Sequence, residues 1–198
     1  MPGQHQDALI GIQNKGEIMS SFEKMIKESF NSHLKSARRI LRERDEKEDK
    51  FNKFLFLDFD STLYDNESQS IIEGDAYNKL VESMTDPEPC YIAIVTARRS
   101  DTKDFVESKV KDSIEDLIED FKGVFSIETV LDKAVESKPS IYETAHLKAD
   151  CISNIISDNV ENLQDIIVHF YDDVEENVEE VAKALDFLNI SSDYCYTV

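Results

Sequence analysis

Apolar residues recur three and four apart from Ile18 to Leu41: Ile18, Phe22, Met25, Ile26, Phe30, Leu34, Ala37, Ile40 and Leu41. That spacing predicts an amphipathic helix over 17–44. Ser20 with Glu23 has the capping-box pattern for its start, and Arg38, Arg39, Arg42 and Arg44 place cations near its end, as the helix dipole favours. Residues 45–50 form a charged linker without apolar residues, and residues 1–16, which lack periodicity, are expected to be mobile. The period changes after Lys53. Phe54–Leu57 is a short apolar run that suits a strand buried on both faces, and it ends in Asp58. Similar runs predict parallel strands near 54–58, 91–96, 124–128, 166–171 and 194–198, with helices at about 73–85, 101–121, 144–157 and 174–188. Strands alternating with helices of this length imply right-handed βαβ units and an α/β sandwich of three layers. The organisation read from the pattern is therefore 1–16, an arm and linker over 17–50, and one folded domain over 51–198.

Composition narrows the class. Ile, Leu, Val and Phe make up 56 of 198 residues, enough for a core, while 5 Gly and 4 Pro exclude collagen-like and low-complexity chains. No apolar run approaches the roughly 18 residues of a membrane span. The opening segment lacks the apolar core of a secretory signal, and Cys90, Cys151 and Cys195 lie far apart with no CxxC pair. Reduced thiols and a cytoplasmic location are the expectation.

Charge is distributed unevenly. Residues 1–50 hold 10 Lys and Arg against 9 Asp and Glu, whereas residues 51–198 hold 12 against 33. A body this acidic repels nucleic-acid phosphates and anionic lipid. Nucleic acid and membrane are thus not expected partners.

The candidate chemistry lies where the strands end. In an open parallel sheet, ligands bind beyond the carboxyl ends of the strands. Asp58 and Asp60 end the first run, Thr96 the second, and Asp172 with Asp173 the fourth. Carboxylates gathered at one edge repel one another and call for a cation, and hard oxygen ligands suit Mg²⁺ with a substrate phosphate.

Asp58-Phe59-Asp60-Ser61-Thr62 after an apolar strand resembles the DxDxT signature of the haloacid dehalogenase superfamily of phosphatases. Thr96-Ala97-Arg98 is similar to the family's second motif, and Asp172-Asp173 to its fourth. The resemblance covers about residues 53–198. It implies a sheet with spatial order fifth, fourth, first, second, third strand, counted along the chain. It implies Asp58 as nucleophile and Asp60 as general acid and base. It also implies Mg²⁺ held by Asp58, the backbone carbonyl of Asp60, Asp172 and Asp173, with Thr96 bonding a phosphoryl oxygen. Thr62 is expected on the substrate side; Arg98 and Arg99, rare cations in an acidic body, are expected either to pair with nearby acids or, with Arg98 favoured, to reach the substrate phosphate or its leaving group.

The family's third motif is a lysine, and Lys133, Lys138 and Lys148 all fall in its window. Lys148 is favoured, as a residue of the first turn of a helix starting at Thr144 and 24 residues before Asp172. Position 61 is Ser where the family often has Gly, which suggests a stiffer turn. The gaps 63–90 and 127–148 are too short for a full cap domain, so an open site is expected.

The expected activity is Mg²⁺-dependent phosphomonoester hydrolysis through an aspartyl-phosphate. Two other readings compete: a phosphatase of nucleic-acid ends, disfavoured by the acidic body, and a docking or regulatory module of the same fold with little catalysis. A phospho-accepting receiver domain fits less well, because its phosphorylated Asp lies on a later strand than its acidic pair. The stripe on helix 17–44 is expected to pack on the domain, on a partner or on a second copy.

Overall fold

The computed structural model describes residues 51–132, 139–160 and 162–198. Residues 1–16, expected to be mobile, residues 17–44, expected to be a helix with a packing partner, residues 45–50, and the alternatives Lys133 and Lys138 lie outside the described residues.

Five strands form one parallel sheet: β1 (Lys53–Leu57), β4 (Tyr91–Arg99), β5 (Val124–Leu131), β6 (Ile167–Asp172) and β7 (Cys195–Thr197). Their order is β5-β4-β1-β6-β7, the order that the family resemblance implies. Two short strands, β2 (Tyr64–Asp65) and β3 (Ser70–Ile71), pair antiparallel as a hairpin just after β1. The helices are α1 (Asp75–Thr85), α2 (Lys103–Ser113), α3 (Glu115–Ile118), α4 (Ile141–Asn159) and α5 (Glu175–Phe187).

β1 is central because both its faces are apolar. Successive side chains of a strand point to opposite faces. Leu55 and Leu57 join Ile92 and Ile94 under Leu80 of α1 and Val106 and Val110 of α2. Phe54 and Phe56 join Ala93 and Val95 under Ile152 and Ile156 of α4 and Val181 and Leu185 of α5. Each such fully buried Leu or Phe gains roughly 1.5–3 kcal/mol over exposure, so a charge on either face of this strand would be costly. At the far edge Gly123 leads into β5 against β4. A Cβ there would stand 2.0 Å from the Cys90 carbonyl oxygen, so the close approach needs glycine.

Three elements differ from the sequence reading. The single helix expected over 101–121 is divided at Ile114, whose backbone leaves the helical region (φ −125°) as its side chain enters the core. α4 starts at Ile141, three residues before the expected Thr144, because Ser140 caps it. The Ser140 hydroxyl accepts from the Glu143 N–H, and the Glu143 carboxylate accepts from the Ser140 N–H. Lys148 is consequently two turns inside the helix and not in its first turn. The hairpin β2–β3 was not expected, since two-residue strands are too short to show a period. Among the described residues, no helix is long and apolar enough to cross a membrane.

Candidate active site

β1 and β6 run parallel and in register, with Leu57 beside Tyr171, and the Asp58 N–H donates to the Tyr171 carbonyl at 2.9 Å. The end of β1 therefore lies against the end of β6. One ligand oxygen from each of Asp58, Asp172 and Asp173 falls within 4.8 Å of the others.

Lys148 binds two of these carboxylates. Its ammonium donates to Asp58 Oδ1 at 2.7 Å and to Asp172 Oδ2 at 2.6 Å. Lys148 is 1% exposed, Asp58 4% and Asp172 0%. The lysine lies on the buried stripe of α4 with Ala145, Ala149, Ile152 and Ile156. A cation on an apolar stripe needs partners, because a buried unpaired charge is too costly to persist.

Burial pushes the Asp58 carboxyl up to about 7, with the Asp172 charge adding and Lys148 opposing. Burial acts downward on Lys148, but its two carboxylates outweigh it and the net shift is upward. Asp173 is raised by burial and by the charge of Asp172.

Asp60 stands apart from this trio. Burial acts upward on it, but hydrogen bonds from Arg98 and Asn66 outweigh burial and hold it below the usual carboxylate range. The turn between the two aspartates is tight. The Tyr64 N–H donates to the Phe59 carbonyl at 2.8 Å, and Ser61 N–H to the Tyr64 carbonyl at 2.9 Å. Ser61 adopts φ 61°, the left-handed region that glycine enters most readily.

A cavity of about 390 Å³ opens over these groups, in the range of small-molecule sites. Asp58, Asp60, Lys148, Asp173 and Asn177 supply its polar wall; Ala97, Pro139, Ile141 and Val174 supply an apolar one. Thr62, Thr96 and Arg98 are not part of the wall. Thr62 and Thr96 are buried, and the Thr96 hydroxyl accepts from the Arg98 N–H at 3.3 Å. The sequence-derived residues thus divide into a cluster of Asp58, Lys148, Asp172 and Asp173, an adjacent Asp60 paired to Arg98, and two buried threonines.

Two residues were missed. Asn66, on the hairpin, contacts both Asp60 and Arg98. Asn177 donates from Nδ2 to Asp172 Oδ1 at 2.9 Å, beside the Val174 N–H on the same oxygen, also at 2.9 Å. The signal for Asn177 was present: it continues the buried stripe of α5 through Val181 and Leu185, where an amide must have a polar reason to sit.

The donor set can be tested against Mg²⁺. It consists of hard carboxylate oxygens with no thiolate or imidazole among them, which suits Mg²⁺ over a softer ion. Three carboxylates gather at one ammonium, which bonds two of them. In addition, the buried Asn177 Oδ1 has no hydrogen-bond partner among the described residues. Unbalanced charge and an unused oxygen at one cavity fit a hydrated divalent cation.

No protein-family model matches the chain, and no curated protein matches it.

Proposed function

We propose that this chain is a Mg²⁺-dependent phosphomonoesterase of the haloacid dehalogenase type, with Asp58 as its nucleophile. The observation that supports this best is Lys148, buried and shared between Asp58 and Asp172 at the carboxyl edge of the sheet, with Asp60 on the same cavity wall. An ammonium that fixes one oxygen of Asp58 both orients the carboxylate and offsets the charge that develops on a transferring phosphoryl group.

Asp58, Asp172 and Asp173, with the backbone carbonyl of Asp60, would hold Mg²⁺, whose charge would let a carboxylate approach a phosphate dianion. A bond forms between an Asp58 carboxylate oxygen and phosphorus as the phosphorus–oxygen bond to the alcohol breaks. Asp60, ionised by its bonds to Arg98 and Asn66, takes up a proton from solvent before it passes one to the departing oxygen. Water then attacks phosphorus and gives its proton to Asp60, and the bond to Asp58 breaks to release inorganic phosphate. The proposal assigns no phosphate contact to Thr62 or Thr96, which the cavity wall does not include. The leaving group would rest on Ala97, Pro139, Ile141 and Val174. The free cysteines suit a reducing compartment, so cytoplasmic work belongs to the same proposal.

The test is hydrolysis of an aryl phosphate with and without Mg²⁺. Asp58→Asn should lose at least about 10³-fold in turnover. Asp60→Asn should lose more with alkyl than with aryl phosphates, since a good leaving group needs no proton. Wild-type turnover in Asp58→Asn, or activity indifferent to a metal chelator, would refute the proposal.

A further inference from the structure

The hairpin β2–β3 leads directly out of the Asp58–Asp60 turn, and Asn66 follows its first strand. The Asn66 amide donates from Nδ2 to Asp60 Oδ1 at 2.7 Å. Its Oδ1 accepts from Arg98 Nη2 at 2.9 Å. Arg98 completes the ring with a fork onto Asp60, Nε to Oδ2 at 2.9 Å and Nη2 to Oδ1 at 2.6 Å. The guanidinium carbon also packs against two aromatic rings that meet edge to face, 5.1 Å from the centroid of Phe59 and 5.0 Å from that of Phe105.

This is more structure than neutralising one aspartate requires. A surface ion pair leaves long side chains free to wander and contributes little. Here the guanidinium packs against two aromatic rings, its fork holds both carboxylate oxygens, and an amide bonds both partners. Asp60 and Asn66 line the cavity and Arg98 does not, so the fork grips Asp60 from outside the substrate's space.

We infer that Arg98 and Asn66 are positioning residues for Asp60: they hold its carboxylate at the cavity wall, in the place from which it accepts a proton of the attacking water. The inference rests on the phosphatase reading above and deepens it. It moves Arg98 from the substrate to Asp60. It also gives the hairpin a function, because Asn66 ties the segment after β1 to the end of β4. Proton transfer by a positioned group contributes in proportion to its alignment, so disturbing the grip should reduce kcat and leave substrate affinity largely untouched.

The experiment is a double-mutant cycle with an aryl phosphate, on which Asp60→Asn keeps measurable turnover, read by single-turnover quench and steady-state kinetics. Arg98→Gln and Asn66→Ala should each lower kcat by about tenfold or more with KM changed by less than about twofold. In the Asp60→Asn background both should have almost no further effect. Arg98→Lys keeps the charge but not the fork and should stay impaired. Asn66→Ala, on an exposed turn, covers the case in which an Arg98 variant fails to fold. Equal fold-losses with and without Asp60, a rise in KM at constant kcat, or full rescue by Lys would each overturn the inference. The phosphatase reading fails separately, through Asp58→Asn.

Discussion

Asp58 and Asp172 share one ammonium, and the sharing has a pH signature. Burial raises the Asp58 carboxyl to about 7 from an ordinary 3.8, so the folded state binds a proton more tightly than the unfolded chain. Stability is then highest in mild acid and falls as pH climbs from about 4 to about 7. Lys148 is shifted upward, so its contribution persists across that window and is lost only in alkali. Asp60 is lowered, and its contribution disappears only in acid, as pH falls below the ordinary carboxylate value. The melting temperature of metal-free protein should therefore be lower at about pH 8 than at about pH 5, and Asp58→Asn should flatten the difference. An unchanged slope in that variant would place the titration elsewhere. Asp58 and Asp172 were legible because each ends an apolar run. Lys148 was reached through the family resemblance and its interval of 24 residues to Asp172, whereas the first-turn position expected for it was not found, because the helix begins at Ile141. Asn66 was not, since nothing periodic surrounds a residue whose partners are 6 and 32 positions away.

At the scale of elements, the site depends on how α4 begins. Ser140 and Glu143 satisfy each other's backbone donors, and that cap sets where the helix starts and hence which residue two turns later faces Asp58. Ser140→Ala should cost about 1 kcal/mol, within the usual range for a lost N-cap, by denaturant unfolding. A loss below the lower end of that range would mean that tertiary packing alone sets the helix start. All five strands of the parallel sheet were readable as short runs between polar breaks, whereas their spatial order was available only through the family resemblance. Boundaries were less readable. The capping box of α4 was in the sequence, but the apolar pattern that drew attention begins later, at Leu147. The break at Ile114 followed core packing, which local periodicity does not encode.

For the whole molecule, the dominant quantity is charge. A formal −20 spread over 198 residues makes the folded state repel itself more than the expanded chain does. Salt shortens the reach of that repulsion, from roughly 10 Å at 0.1 M to 3 Å at 1 M. Thermal unfolding should therefore move upward by a few degrees when KCl is raised from about 0.05 to 0.5 M. A downward shift would mean that surface ion pairs, such as Lys53 with Asp86 and Glu88, outweigh the net repulsion.

The shared ammonium also dates the site within the folding process. Lys148 follows Asp58 by 90 residues, and Asp172 follows Lys148 by another 24. On a ribosome the central strand is thus made first and waits for one neighbour, then the other. Until β6 docks, one long edge of β1 stays unpaired, Asp58 lacks its neighbouring carboxylates, and Lys148 has only half its counter-charge. Contacts this distant in sequence are slow to close. The event that completes the sheet around β1 is the same event that assembles the chemistry. On the phosphatase proposal, regain of turnover after dilution from denaturant would accordingly not precede the docking of β6.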